Sequence, residues 1–191
     1  MTYYDDAKNV EEYIQMAEGY DGQLLIDILR GHLADESTVL ELGMGPGKDL
    51  LLLAEHFTVT GSDRSPVFVE RFRKAQPNAD VIQLDALTMA GLPAERQFDG
   101  IYSNKVLYHL TPDQLTAAFP RQAAALKPGG IALHSFWAGE GEEDMHGLHF
   151  AYYTADTLRA AVGREYEVLR LDTYAEMDPD DSLVIVLKKR G

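Results

Sequence analysis

Short apolar runs that end at a glycine or an acid alternate along this chain with longer segments in which apolar positions recur every three or four residues. The first kind suits buried strands, the second amphipathic helices. Val39, Leu40 and Leu42 form such a run and predict a strand over 38–43, followed by a leucine-rich helix from about 47 to 56. "FTVTGSD" predicts a second strand at 57–63, and "SPVFVERFRKAQ" a helix entered through Ser-Pro. Further strands are read in "ADVIQLDA" (79–86), "FDGIYSN" (98–104) and "IALHSFW" (131–137). A helix from about 112 to 126 precedes the last of these and closes on the stop signal "LKPGG". Upstream, apolar positions from Val10 to Leu29 fall on two helical segments broken around Gly19 to Gly22.

After residue 137 the rhythm changes. Residues 138–153 read as a loop too long for a simple connection, a length at which loops often act as lids. "TADTLRAAVG" (154–163) has the Thr N-cap and closing glycine of a short helix. "YEVLRLDTY" and "SLVIVLKK" are strand-like, and the acidic "AEMDPDD" between them predicts a hairpin. Strands alternating with helices argue an α/β fold with a mostly parallel sheet and one reversed strand. No repeat or second domain is visible, and 191 residues suit a single core.

Composition narrows the function. Apolar residues make up 46% and charged residues 25%, ordinary for a globular chain. The absence of cysteine removes disulfides, thiolate metal sites and a cysteine nucleophile, and no metal is expected. The start "MTYYDDAKNVEEY" is too polar for a secretory signal and no apolar run could span a bilayer, so the expected location is the cytoplasm. With 31 acidic against 17 basic residues, a formal charge of −14 repels polyanions and argues against nucleic acid as a partner. The acidic runs at 139–147 and 176–181 read as solvated loops.

The chemistry is concentrated in "TVLELGMGPGKDLLLLAEH", Thr38 to His56. Glycines at 43, 45 and 47 permit left-handed backbone and remove Cβ atoms that would keep a ligand away from the main chain. A P-loop would need its first glycine where Leu42 stands and a hydroxyl where Asp49 stands. A dinucleotide fingerprint would need a third glycine in place of Lys48. What remains is Glu41-x-Gly43-x-Gly45-x-Gly47, an acid followed by a glycine turn, which suits a ligand with positive charge. Asp63 closes the second strand about 20 residues after the first glycine, where an acid can accept both hydroxyls of a ribose. Asp85 ends the third strand on the same edge, where it could accept from an adenine amino group while Ala86 offers its N–H.

The motifs "VLELGMGPG", "TGSDRS", "VIQLDA", "FDGIYSNKVLYHL" and "LKPGG" stand in an order and spacing, from 39 to 130, that resembles the class I S-adenosylmethionine-dependent methyltransferases, in particular small-molecule methyltransferase domains. The resemblance implies a single-domain Rossmann-like, doubly wound sheet of seven strands, the last antiparallel, with helices on both faces. It implies S-adenosylmethionine as cofactor, with S-adenosylhomocysteine as its product. Glu41 is then expected to orient the methionine amino group, Gly43, Gly45 and Gly47 to line its tail, and Asp63 to bind the ribose. Asp85 and Ala86 are expected to take adenine, and Ser103 and Asn104 to contact the methionine moiety chiefly through backbone. Residues 1–31 are expected to form a helical cap or lid, 38–136 the cofactor-binding core, and 137–191 a substrate loop, helix and C-terminal hairpin.

Methyl transfer from a sulfonium is an in-line displacement that gains most from alignment and exclusion of water. A base is needed only for hydroxyl or protonated amine acceptors. Candidate catalytic residues are His109 and His149, and candidate substrate-lining residues are Tyr20, Lys105, Trp137, His146 and Tyr152. For His109 a capping or packing role weighs at least as much as catalysis, and His134, inside a strand, reads as a core imidazole. Tyr3, Tyr4, Tyr13 and Tyr20 are either lid residues or anchors of a packing helix. "SNKV" (103–106) stands where base-modifying relatives carry an aromatic Pro-Pro motif, which leaves a small organic acceptor. Two other readings stay open: an S-adenosylmethionine-binding sensor without turnover and, more distantly, an NAD-dependent oxidoreductase.

Overall fold

The computed structural model describes residues 3–191. A 3-10 turn at Tyr3–Asp5 leads into α1 (Ala7–Met16) and α2 (Gln23–Arg30), the two segments expected from the broken apolar pattern. The core follows as β1 (Thr38–Leu42), α3 (Lys48–Leu53), β2 (Thr58–Asp63), α4 (Pro66–Ala75), β3 (Val81–Gln83), β4 (Phe98–Ser103), α5 (Pro112–Ala125) and β5 (Leu126–Trp137). Then come β6 (Glu142–Met145), β7 (Leu148–Ala151), α6 (Ala155–Ala161), β8 (Tyr166–Tyr174) and β9 (Ser182–Lys189).

Seven strands form one sheet in the order β3-β2-β1-β4-β5-β9-β8. β1 pairs in parallel with both β2 and β4, β4 with β5, and β2 with β3; β9 runs antiparallel to β5 and β8 and is the single reversed strand. Chain direction across the sheet therefore switches between β1 and β4, and the carboxyl ends of these two strands open a crevice of the kind where ligands bind in doubly wound folds.

The near-continuous apolar strands are buried on both faces, with side chains alternating between two cores. Leu40, Leu42, Ile101, Ala132 and Ile185 pack with Leu115 and Phe119 of α5 and Leu158 of α6. Val39, Tyr102, Leu133 and Val184 pack with Leu25, Ile26 and Leu29 of α2. A third cluster joins Leu50 of α3, Val69 and Phe72 of α4, and Val81. Helix starts follow their chemistry: Thr111 with Gln114, and Thr154 with Thr157, form capping boxes, and Ser65 caps α4 ahead of Pro66.

Three sequence expectations need correction. The third strand is only Val81–Gln83, since Leu84 turns to Asp63 O and Asp85 onward folds into its own loop. "LKPGG" is not wholly outside the sheet, because β5 begins at Leu126 opposite Phe98 and the register then jumps to Ile131 opposite Gly100, absorbing Lys127–Gly130. The stretch 138–153 is not an open loop: β6 and β7 pair as a hairpin, with Asp144 opposite His149.

At the amino edge, away from the crevice, Asp99 accepts from the Thr38 N–H (2.9 Å), the Thr38 hydroxyl (2.7 Å) and Lys127 Nζ (2.8 Å). Burial works to raise its pKa, but these donors hold it at about 2, a structural clamp on the starts of β1 and β4. His134 lies wholly inside the sheet, with Nδ1 2.8 Å from Ser103 Oγ and no partner at Nε2. Burial depresses its pKa to about 3. Because the folded value lies below the ordinary 6.5, the neutral ring's contribution is complete above 6.5 and is lost as pH falls towards 3. Between pH 7 and 5 the wild type is expected to lose about 2 kcal/mol more stability than His134→Leu in urea denaturation. Equal losses would remove His134 from the acid response.

Candidate active site

The turn after β1 is shaped by three left-handed glycines, with φ of 67° at Gly43, 50° at Gly45 and 85° at Gly47. They differ in what a side chain would meet. A Cβ at Gly43 would lie 2.5 Å from Val106 Cγ2 and one at Gly47 2.1 Å from Phe72 Cε2, whereas at Gly45 the nearest atom is Tyr13 Cε1 at 3.7 Å. A Cβ at Gly45 would therefore make only an ordinary contact with Tyr13, while Gly47 is required by packing against α4. Asp63, at the end of β2, fixes the turn: its Oδ2 accepts from the Gly45 N–H (2.9 Å) and its Oδ1 from the Ser65 N–H (2.8 Å). Burial raises its pKa, opposed by these N–H groups.

Glu41 is the unusual member. It is 3% exposed near the end of β1, and its Oε2 has no hydrogen-bond partner. Burial above all, and then the charges of Asp49 and Asp63, push its pKa well above the ordinary carboxylate value. A buried, incompletely paired carboxyl in a crevice is costly unless a cation meets it.

The crevice has two lobes that share Tyr13, Gly43, Gly45, Lys105 and Tyr108. The first, about 330 Å³, is lined by Asp63, Arg64, Leu84 to Leu87, and Val106 to Leu110. Asp85 and Ala86 line this lobe. The Asp85 Oδ1 is occupied by its own loop, accepting from Leu87 N–H (3.0 Å) and Thr88 N–H (2.8 Å), while Oδ2 faces Arg64 Nε at 3.6 Å. His109 and His149 both reach this lobe. The His109 ring meets the His149 carbonyl through Nδ1 at 2.7 Å, and burial lowers its pKa. His149 in turn lies 3.0 Å from both Glu142 Oε2 and Asp144 Oδ1, which fastens the β6–β7 hairpin beside the lobe.

The second lobe, about 460 Å³, holds Glu41, Asp49, Asn104, Lys105, Trp137 and Tyr20, together with Met16, Glu176 and Met177. Asp49 organises it, accepting from Gly22 N–H (2.7 Å), the Tyr102 hydroxyl (2.8 Å) and Asn104 Nδ2 (3.1 Å). Asn104 Oδ1 accepts from Ser135 Oγ at 2.7 Å. Lys48 donates from Nζ to Tyr20 O at 2.5 Å and borders this lobe. Tyr4 lines the first lobe and Tyr13 both, with ring centroids 5.4 Å apart, so the amino-terminal segment lines the crevice.

Four predicted site residues lie outside the lining. Gly47 packs on Phe72. Ser103 is fully buried and bonded to His134. His146 occupies the left-handed turn of the hairpin (φ 54°), and the Tyr152 hydroxyl donates outward to Glu143. Asp49, Val106, Glu176 and Met177 were not foreseen. Asp49 had a faint signal as an acid just past the glycines, but its partners lie 27 to 55 residues away.

Known proteins resemble the chain in sequence and in fold. Residues 39–130 match a family model described as a methyltransferase domain. A trans-aconitate 2-methyltransferase of Paracidovorax citrulli is 36% identical over 107 residues, covering 54% of this chain and 40% of the relative. One from an Azoarcus species is 32% identical over 134 residues, covering 69% and 49%. The chain thus spans half or less of the length of these two relatives. Among solved structures, a Burkholderia thailandensis 1,6-didemethyltoxoflavin-N1-methyltransferase, with bound S-adenosylhomocysteine, superposes with a TM-score of 0.76 at 22% identity, covering 96% of this chain and 85% of that one. A TehB-like methyltransferase from Corynebacterium glutamicum gives 0.75 at 22% identity, covering 97% and 100%. Residues 39–130 thus carry a methyltransferase domain, with the motif order and sheet topology of the class I S-adenosylmethionine-dependent methyltransferases.

Proposed function

We propose that the crevice binds S-adenosylmethionine across both lobes and that the chain moves its methyl group to a small-molecule acceptor. The observation that carries this reading is Glu41, a buried carboxyl with an unpartnered oxygen beside a glycine turn whose Gly45 lines the same lobe. Such a site fits the cationic amino-acid end of the cofactor. Asp63 would hold the ribose and Asp85 with Ala86 the adenine, with Asn104 near the amino-acid end. Ser103, Gly47, His146 and Tyr152 have no direct part in this assignment.

When bound, S-adenosylmethionine supplies a sulfonium-activated methyl group for in-line displacement. The chain's own work is to bind, to align and to exclude water. Tyr4, Tyr13 and Tyr20 with α1 form the cover, so amides of residues 13–22 are expected to gain hydrogen-exchange protection on cofactor binding; unchanged exchange would exclude a cofactor-linked cover. His109, with Nδ1 engaged by a backbone carbonyl, has Nε2 left as a possible proton acceptor, and His149 acts by positioning. Among the described residues no helix is long and apolar enough to cross a membrane. The reading includes a cytoplasmic location and a small metabolite acceptor, with no role for nucleic acid.

Asp63→Ala is expected to weaken S-adenosylhomocysteine binding by about 2 kcal/mol, the scale of charge-assisted hydrogen bonds. Unchanged affinity in a folded variant would take Asp63 out of the site. Transfer itself is tested with S-adenosylmethionine carrying an isotopic methyl label and a panel of small acceptors, trans-aconitate among them. Label in an acceptor together with released S-adenosylhomocysteine supports an enzyme; cofactor binding with no labelled product across the panel favours the sensor reading.

A further inference from the structure

Lys105 follows Asn104 just beyond β4 with φ of 52°, a left-handed backbone that side-chain-bearing residues adopt uncommonly and that often marks a functional site. Its Nζ donates to Phe136 O (3.2 Å) and Ser182 Oγ (2.5 Å) and sits 3.4 Å from the centroid of the Trp137 ring. Both of these oxygen acceptors are neutral. Among the described residues the ammonium makes no ion pair with a carboxylate. Asp181 is reached only through the Ser182 hydroxyl, which donates to its Oδ1 at 2.8 Å, and Asp181 is already engaged by the N–H groups of Glu176, Met177 and Asp178. The result is a cation held on an indole face, bordering both lobes, which feels the charges of Glu176 and Asp181 but has no carboxylate in direct contact.

The surroundings limit what can meet it. Asp21, Glu41, Asp49 and Glu176 line the same lobe and would repel a ligand bearing several negative charges. The mouth of the lobe is apolar, with Met16 71%, Tyr20 46% and Met177 62% exposed. We infer that the methyl acceptor is an organic monocarboxylic acid, its carboxylate held by the Lys105 ammonium and its apolar body lying between Trp137 and the rim of Met16, Tyr20 and Met177. This rests on the methyltransferase reading and specifies its acceptor. A carboxylate supplies the charge that Phe136 O and Ser182 Oγ do not, and the indole fixes the ammonium in place without neutralising it.

Trp137 is the chain's single tryptophan, so its fluorescence reports directly on this contact. The probes are phenylacetate, phenylacetamide and succinate, titrated into protein saturated with S-adenosylhomocysteine. Phenylacetate is expected to give a saturable change with at least about tenfold tighter binding than either of the others. Lys105→Met should lose about tenfold in phenylacetate affinity while its binding of phenylacetamide falls far less, and Lys105→Arg should restore most of the loss. Equal binding of phenylacetate and phenylacetamide by the wild type, or undiminished phenylacetate binding by Lys105→Met, would overturn the inference. Should Lys105→Met not fold, the acid–amide comparison on the wild type decides alone. If S-adenosylhomocysteine does not bind, the methyltransferase reading fails separately, and the same titrations without it still decide whether Lys105 holds a carboxylate.

Discussion

Glu41→Gln is expected to weaken S-adenosylmethionine binding by about 3 kcal/mol, on the order of a hundredfold, with the fold intact. The side chain is 3% exposed and its Oε2 lacks a partner, so in the free protein its charge is stabilised by little besides the chain itself. Burial and the neighbouring Asp49 and Asp63 raise its pKa. The sign of the pH effect follows. A carboxyl with a raised folded pKa contributes its full stability below the ordinary value of 4.5 and loses it as pH rises through the folded value. Gln does not titrate, so the stability of Glu41→Gln relative to wild type should increase as pH rises. The same substitution thus improves the free protein at high pH and removes the charge that the cofactor's ammonium needs. Calorimetric affinity and urea denaturation over pH 5 to about 8.5 measure both halves. Affinity within about threefold of wild type would show that Glu41 does not meet the cation.

The second large effect separates two glycines that look alike in the sequence. Gly47→Ala is expected to cost about 3 kcal/mol of stability, combining a left-handed backbone with overpacking. Its new Cβ would fall 2.1 Å from Phe72 Cε2 and 2.3 Å from Cδ2, and Phe72 is buried against Val69 and Leu50 with little room to move. Gly45→Ala carries the left-handed strain alone, about 1 kcal/mol, because its Cβ meets nothing nearer than Tyr13 Cε1 at an ordinary 3.7 Å. Gly45 and Tyr13 both line the crevice, so Gly45→Ala should lower cofactor affinity more than stability. Denaturant midpoints and cofactor affinities of the two variants give the comparison. If Gly45→Ala were the more destabilised and Gly47→Ala the weaker binder, the division of labour in this turn would be reversed.

The sheet was legible because its signals are local. β1, β2 and β4 are apolar runs broken by glycine or acid, and the order Glu41, Gly43, Asp63, Asp85 follows the order of strand ends along one edge. The β6–β7 hairpin was missed for a physical reason. Glu142 to Met145 are all exposed, so no hydrophobic alternation marks them; His149 between Glu142 and Asp144 gives the pairing side-chain contacts that periodicity does not register. Gly47 and Ser103 were assigned to the site by their position in a motif. Their surroundings, Phe72 and His134, come from elements 25 and 31 residues away, and only the fold brings them together. Asp49 is the converse case, set aside as an argument against phosphate and then found to join Gly22, Tyr102 and Asn104.

The central claim is that a cationic nucleoside meets Glu41, and titration calorimetry of S-adenosylmethionine and NAD in two buffers of different ionisation enthalpy tests it most directly. S-adenosylmethionine should bind and NAD should not. Because the arriving ammonium lowers the raised pKa of Glu41, binding at mildly acidic pH should release a fraction of a proton, visible as a buffer-dependent enthalpy that is lost in Glu41→Gln. NAD binding in the absence of S-adenosylmethionine binding would contradict the account, as would a Glu41→Gln variant that binds the cofactor with wild-type affinity and the same proton release.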